Sequence, residues 1–380
     1  MNFYEDMVCQ EKKTDYLVCG DWTLCERTAG GTTFVLCDGI GSGVYANIAA
    51  IACAERLMEL ARTGMSLRAA CETVAASMHR ARKEDIPFSA FSAALILPDG
   101  QFAVYTYEAP EAILLQNGTA SVLKPRFYTA GYEVIGEVTG TLYSGNTLLL
   151  SSDGVTQAGL GYGRGMGIGI EGVAGFINRS RATQEDIHEL PRKIVDMCAD
   201  LCAGRHEDDT TLALVHCREA RELTVLTGPP AKPSEDKSCV RDFMSAAGLK
   251  VICGSTTTDI VARVLGEKVE MLKLNKGLGA PPEYAIEGID LVTEGAIMLS
   301  QVYNILDEPQ ELFVENSAVE RFCVMLREAD VIRLMIGNAA NDAHESLLFK
   351  QVGVRVRRTI VRLIADRLRQ KGKLVLEKYY

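Results

Sequence analysis

Five aspartates of this chain share one setting. Asp21 follows Tyr16-Leu-Val-Cys-Gly, and Asp38 follows Phe34-Val-Leu-Cys and opens Asp38-Gly-Ile-Gly-Ser-Gly. Asp153 follows Leu148-Leu-Leu-Ser-Ser and is itself followed by Gly154, while Asp208 and Asp209 precede Thr211-Leu-Ala-Leu-Val. Each acid sits at the mouth of an apolar, β-prone run. If those strands share a core, their mouths converge and several carboxylates crowd one small volume. Crowded carboxylates repel, and burial raises the cost of each charge. Divalent cations resolve that conflict. Hard oxygen ligands suit magnesium or manganese, with water completing an octahedron. Gly39, after Asp38, lets the backbone carbonyl turn toward a cation where a side chain would obstruct it. The pattern reads as a two-metal site without a histidine ligand.

Each motif also has a plainer reading. Asp-Gly is a common turn, and Asp99-Gly100 joins two closely spaced strands with no flanking glycines, so it is read as a turn only. Asp38 differs, because a six-residue loop with three glycines leads into a helix where a hairpin needs two residues. Alone, that loop is equally an anion-binding turn. Asp153-Gly alone says little, and Asp208-Asp209-Thr-Thr alone is equally helix-to-strand punctuation. The force comes from order and placement together.

The elements that must position these acids are legible as blocks. Apolar runs at Asp15-Tyr-Leu-Val-Cys, Thr32 to Cys37, Phe91 to Leu97, Phe102 to Tyr107, Ala112 to Leu115, Thr147 to Ser151 and Thr211 to Val215 predict strands. Asp99-Gly100 and Asn117-Gly118 predict hairpins. Apolar residues recurring at three and four predict helices over about Tyr45 to Arg62, Ser66 to Ala81 and Gln184 to Cys202. Hairpin-linked strands with long helices set apart suggest an α+β sandwich. The pattern changes after Cys217. From Leu223 strands and helices alternate: Lys250-Val-Ile-Cys before a helix from about Thr258, Ile289-Asp-Leu-Val before one from about Gly295, then Val331 to Ile336, a helix over Val354 to Gln370, and Leu374-Val-Leu-Glu. That alternation predicts a doubly wound α/β domain. The boundary falls at 218–221, giving domains at 1–217 and 222–380.

Gly20-Asp21, Asp38-Gly-x-Gly-x-Gly, Ser152-Asp153-Gly154 and Asp208-Asp209-x-Thr211 together resemble the metal-dependent (type 2C) protein phosphatases. The resemblance is to the bacterial branch typified by the stage II sporulation protein E and by stress-response phosphatases, over residues 10 to 217. It implies an αββα sandwich with two divalent cations, Mn2+ or Mg2+, at one end. By that resemblance Asp38 bridges both metals, with the Gly39 carbonyl on one. Asp153 and Asp208 bind the other, Asp21 holds metal-bound water, and Asp209 stands where relatives have Asp or Asn. The implied activity is hydrolysis of phosphoserine or phosphothreonine on a protein, in bacterial signalling. Paired cations about 3.5–4 Å apart activate a water for in-line attack on phosphorus and offset charge on the phosphoryl oxygens. Ile40 occupies the position where many eukaryotic relatives carry histidine, which leaves the acid for the leaving oxygen unassigned. His206, the nearest histidine in sequence to the acid pair, reads as an exposed loop residue.

Composition bounds the partners. The net charge of -10 disfavours broad nucleic-acid binding. Of the 12 cysteines several lie in apolar runs and none forms Cys-x-x-Cys, so buried reduced thiols are expected, with Cys198 and Cys202 on one helix face. The N-terminus lacks the basic start and apolar core of a signal peptide, and no run of about 18 apolar residues exists. A cytoplasmic protein without membrane contact is expected. The segment Gly159-Leu-Gly-Tyr-Gly-Arg-Gly-Met-Gly-Ile-Gly lacks the Gly-Lys-Ser/Thr of a P-loop and reads as a mobile flap beside the site, with Arg164 solvated.

In the second domain Ser255, Thr256 and Thr257 lie between a strand and a helix, where simple capping competes with an anion site. Glu294 and Asn338, in Asn338-Ala-Ala-Asn-Asp-Ala-His, occupy comparable places after later strands. Ligands of open α/β sheets bind at the carboxyl ends of strands, so these loops predict a pocket for a small anionic ligand. The domain then serves as a ligand-sensing regulator, or as a docking surface for the phosphoprotein or for a second copy of the chain in a homodimer. The rival to an active enzyme is a catalytically silent phosphatase-fold binding module.

Overall fold

The structure, a computed structural model, describes residues 1–181, 186–273, 283–313, 316–339 and 357–380. The chain divides into two units, Met1–Glu219 and Ala220–Tyr380, and is of mixed α/β character.

Two antiparallel sheets make up the first unit. One has β1 (Asn2–Glu11), β11 (Thr210–Glu219), β10 (Thr147–Ser151), β6 (Ile113–Gln116) and β7 (Thr119–Val122), in that order. The other runs β2 (Asp21–Thr28), β3 (Gly31–Gly39), β4 (Ser89–Ile96), β5 (Gln101–Tyr107), β9 (Glu133–Thr141) and β8 (Arg126–Ala130). Strand residues alternate between faces, and the sequence uses both. Phe34 and Leu36 of β3 meet Leu148 and Leu150 of β10 and Ala213 and Val215 of β11 in one core. Val35 and Cys37, on the opposite face of β3, pack instead under α1 (Val44–Arg62) and α2 (Leu67–Lys83). Leu149, Leu212 and Leu214 likewise meet Ile177 of α4 (Gly169–Arg181) and Ile194, Val195 and Cys198 of α5 (Leu190–Leu201). The first turns of α1 bury Ala46, Ala49, Ala50, Cys53 and Ala54, small residues that let the helix lie close on its sheet.

The predicted strand at Asp15–Cys19 is not formed; that segment is a loop, and β1 lies before it and β2 after it. Leu17 explains the error, since an apolar residue that would have pointed into a core is 93% exposed. The glycine-rich segment forms successive turns and then enters α4, which the sequence reading did not anticipate, nor did it find β8 and β9. The predicted helix over Gln184 to Cys202 begins outside the described residues, and its described part is a 3-10 turn at Ile187–Glu189 followed by α5.

The second unit holds a seven-stranded sheet in the order β14 (Glu270–Lys273), β15 (Glu283–Ala285), β16 (Leu291–Thr293), β13 (Leu249–Cys253), β12 (Glu222–Thr227), β17 (Val331–Ile336), β18 (Leu374–Tyr379). The last five are parallel, and β14 and β15 join antiparallel at one edge. Helices cover both faces. Residues of α8 (Ala296–Ile305), α9 (Ala318–Glu328) and the helix Arg357–Gln370 pack on one, and those of α6 (Asp236–Ser245) and α7 (Ser255–Leu265) on the other. The start of the predicted helix over Val354 to Gln370 lies outside the described residues. All the cysteines are free thiols, and most are buried. Among the described residues no helix is long and apolar enough to cross a membrane.

Candidate active site

Strand pairing delivers the acids. β2 and β3 run antiparallel in a register that sets Asp21, the first residue of β2, opposite Asp38 near the end of β3. In the facing sheet β10 and β11 also run antiparallel, with Ser151 opposite Leu212. Asp153, which opens the short helix α3 (Asp153–Thr156) just past β10, and Asp208–Asp209, just before β11, therefore emerge at one end. Contacts between the sheets join the two groups. The Asp153 N–H points at Asp38 Oδ2 at 3.4 Å, and a Cβ on Gly20 would stand 2.7 Å from Asp209 Oδ2. The five sequence-predicted carboxylates of the first domain are thus brought together.

Their environment is hostile to charge. Burial pushes Asp21 up to about 7, and the nearby Asp209 adds to that; Thr211 and Ser152 stand close enough to counter it in part. Neither makes a hydrogen bond of ordinary geometry to Asp21, whose two carboxylate oxygens are buried without a partner. Asp38 rises well above the carboxylate range, first from burial and then from Asp21 and Asp153. Asp153 and Asp208 are raised too, chiefly by burial. Burial of a carboxyl without a compensating partner costs several kcal/mol, and protonation or a cation relieves it.

The donor chemistry fits a hard divalent cation: carboxylate oxygens only, of which Asp21 Oδ1, Asp21 Oδ2 and Asp209 Oδ2 are buried and unpaired. The side-chain arrangement is looser than the sequence reading expects. Among the described residues no three His, Cys, Asp or Glu side chains are grouped as a metal-holding set. Asp38 instead faces Asp153, whose backbone N–H points at Asp38 Oδ2. Asp209 Oδ1 accepts the Lys13 N–H at 2.9 Å, and Asp208 stands 3.9 Å from the Lys13 ammonium. Gly39 also meets a steric need that its sequence context does not show. A Cβ there would lie 1.9 Å from the carbonyl oxygen of Ala46, so glycine lets α1 begin directly against the end of β3.

Several groups at the site carry no motif of their own. The Ser152 hydroxyl accepts the Thr211 N–H at 2.9 Å and donates to the Asp209 carbonyl at 3.3 Å, tying the ends of β10 and β11 together. Ser89 Oγ donates to the Asp38 carbonyl at 2.8 Å, and Gln157 Nε2 to Asp153 Oδ2 at 2.7 Å. Ser152 was legible only as part of Ser152-Asp153-Gly154; Ser89 and Lys13 are brought in by long-range folding. A cleft of about 220 Å³ opens beside Asp208, lined among others by Leu160, Tyr162, Cys202, Arg205 and His206. His206 is therefore not a freely solvated loop residue: it is half-buried, with Nδ1 3.3 Å from Thr210 Oγ1. The glycine-rich turns form one wall of that cleft, and Arg164 is exposed with its stem against Gly159.

In the second unit α7 begins at Ser255, three residues earlier than expected, with Ser255 and Thr256 exposed and Thr257 buried. The loop before it abuts the one carrying Glu294, since a Cβ on Gly254 would lie 3.3 Å from Thr257 Oγ1 and 3.9 Å from Gly295 Cα. Glu294 stands by Tyr284. Asn338 is apart from both. It follows β17, on the other side of β12, where its N–H donates to the Tyr380 carbonyl and its side chain accepts from Arg358. The remainder of its loop lies outside the described residues.

No curated protein sequence matches the chain. Among solved structures, the phosphatase domain with a regulatory-domain fragment of the cell-fate determinant SpoIIE from Bacillus subtilis is 16% identical, over 57% of this chain and 64% of that one, with a TM-score of 0.48. The chain thus spans just under two thirds of that relative. The RsbU and RsbW domains of a Mycobacterium tuberculosis protein are 18% identical over 63% and 67%, with a TM-score of 0.47. RsbX, solved with magnesium, is 17% identical over 57% and 100%, with a TM-score of 0.41. The family profile for stage II sporulation protein E matches residues 28–218, which is half of the sequence and includes Asp38, Asp153, Asp208 and Asp209. The chain belongs to the stage II sporulation protein E family.

Proposed function

We propose that the first unit hydrolyses phosphoserine or phosphothreonine on a protein substrate, in bacterial regulation. The observation that carries this reading is the convergence of Asp21, Asp38, Asp153, Asp208 and Asp209 at one end of two facing sheets, with buried carboxylate oxygens unpaired. Two divalent cations, Mn2+ or Mg2+, held by Asp21, Asp38, the Gly39 carbonyl, Asp153, Asp208 and Asp209, would supply an activated water and offset phosphoryl charge. RsbX, one of the similar structures, was solved with magnesium.

The chain's own residues do the positioning. Ser152 and Ser89 fix the backbone at the strand ends, so the acids do not depend on loop conformation. Gln157 orients the Asp153 carboxylate. Lys13, beside Asp208, contributes a cation at the mouth that attracts a dianionic phosphate ester. The acids named here lie before Glu219, so the second unit enters as a regulatory or docking domain.

The test is hydrolysis of p-nitrophenyl phosphate and a phosphoserine peptide by wild type and Asp38→Ala, with and without manganese. Manganese-dependent turnover, absent from Asp38→Ala, is expected. No turnover by folded, manganese-loaded wild type on either substrate would sink the catalytic reading and leave a phosphatase fold kept for binding.

A further inference from the structure

Exposed apolar side chains flank the acid site from two directions. On one side stand Leu17, 93% exposed, and Tyr45, 76% exposed. Tyr45 and Ile48 lie on the outer face of α1, while Ala46, Ala49 and Ala50 face its sheet. On the other side the glycine-rich turns present Leu160, Tyr162 and Met166, of which Met166 is 89% exposed. The loop that carries Leu17 joins the two sides. Tyr16 lies over Gly43 at the start of α1, where a Cβ would come within 3.1 Å of the ring. At the other end of the loop Thr14 exchanges hydrogen bonds with His206, the Thr14 N–H to its carbonyl at 2.8 Å and its N–H to Thr14 Oγ1 at 2.9 Å. His206 lines the cleft together with Leu160 and Tyr162.

Exposed apolar side chains gathered around one site in this way mark an interaction site. Its position says what covers it. The rim is continuous with the carboxylate cluster, and Lys13 stands on the same loop, 3.9 Å from Asp208, where it complements a dianion. At about 220 Å³ the cleft is smaller than the roughly 300–1,000 Å³ of sites that enclose a whole small molecule, so it suits one side chain. We infer that this rim docks a protein segment whose phosphoserine is flanked by apolar side chains, one of them entering the cleft beside Asp208. The inference rests on the phosphatase reading for the identity of the central group and adds the chemistry of its surroundings. Leu17 and Tyr45 hold the segment on the α1 side, and Leu160 and Tyr162 grip it on the flap side.

Binding tests the rim separately from catalysis. Two fluorescent peptides carry a non-cleavable phosphonate in place of phosphoserine, one with leucines and one with serines on either side. They are titrated by anisotropy against the full chain with manganese. The leucine-flanked peptide is expected to bind at least tenfold more tightly, and the double variant Leu17→Ser/Tyr45→Ser to lose that preference while hydrolysing p-nitrophenyl phosphate at the wild-type rate. Equal affinity for the two peptides, or a preference kept in the double variant, overturns the docking surface whatever the turnover. A double variant that dissociates in sedimentation while its peptide affinities stay at wild type would overturn it too, in favour of a self-interface. Loss of p-nitrophenyl phosphate turnover in wild type strikes the catalytic reading alone, because the affinities are measured without cleavage.

Discussion

Asp21 and Asp38 are direct cross-strand partners, the first residue of β2 set against the penultimate residue of β3. Like charges directly opposite one another destabilise a strand pair, and here Asp21 is buried and Asp38 half-buried. The pair persists because the β2–β3 register is set along its whole length by other residues, from Trp22 against Cys37 to Thr28 against Gly31. Folding thus holds two acids in a place that neither would choose.

That conflict has a pH signature. The folded-state value of Asp21 is raised to about 7 from 3.8. A group raised in this way binds protons more tightly folded than unfolded. Its protonated form is fully accommodated below pH 4, and stability falls as pH climbs from there through about 7. In EDTA the first unit should therefore lose stability between about pH 4 and pH 7, on the order of 4 kcal/mol from Asp21 over that window. Thermal unfolding followed by circular dichroism reads this. Asp21→Asn should flatten the slope, and manganese should reverse it by binding the ionised form. A melting temperature in EDTA that rises over that range would contradict the assignment.

Among the Asp-Gly pairs, only those at the strand mouths should matter to turnover. Asp38→Ala and Asp153→Ala should each lower kcat by at least about a hundredfold, the scale seen when one electrostatic stabiliser is removed. Asp99→Ala should stay within about twofold, because Asp99 caps its own hairpin by accepting the Gln101 N–H at 3.1 Å, far from the acids in the fold. Comparable losses at all three positions would mean that turn and site aspartates have been confused. Circular dichroism of each variant separates lost chemistry from lost fold.

How far the sequence foretold this depends on what kind of signal each residue carries. Asp38, Asp153 and Asp208–Asp209 sit beside strands that are buried on both faces, such as Thr147–Ser151, so apolar runs ending in an acid were readable locally. Asp21 was found for a partly mistaken reason: it opens a strand, whereas the run before it is a loop in which Tyr16 and Leu17 are exposed. β1 was missed because Asn2–Glu11 mixes acids with apolar residues, and its partner β11 supplies the pairing. The cleft and Lys13 could not be read, since the cleft gathers the glycine-rich turns and the segment around Asp208, and Lys13 meets Asp209 across 196 positions. Side-chain grouping was also beyond reach. Spacing along the chain places the acids at one end but does not aim their oxygens.

Gly39 gives a steric prediction that distinguishes its two roles. The Cβ of Gly39→Ala would lie 1.9 Å from the Ala46 carbonyl oxygen, a backbone atom that cannot rotate away. α1 must shift, at a cost of about 1–3 kcal/mol, and Asp38 shifts with it. Both melting temperature and kcat should fall. If kcat fell with the melting temperature unchanged, the glycine would be needed for its carbonyl rather than for the close passage of α1.

Ser152 supplies the last test, because it touches neither reacting group nor solvent. Its hydroxyl accepts the Thr211 N–H and donates to the Asp209 carbonyl, both within the buried end of the sheet. Ser152→Ala strands a donor and an acceptor, which costs about 1–3 kcal/mol for a buried group left unpaired. Chemical denaturation should show that loss. Asp153 and Asp209 flank this junction, so their separation relaxes as well, and kcat should drop by more than KM rises. Ser152→Thr keeps the hydroxyl and should recover most of both. A stable Ser152→Ala with unchanged kinetics would show that β10 and β11 hold the acids without this link.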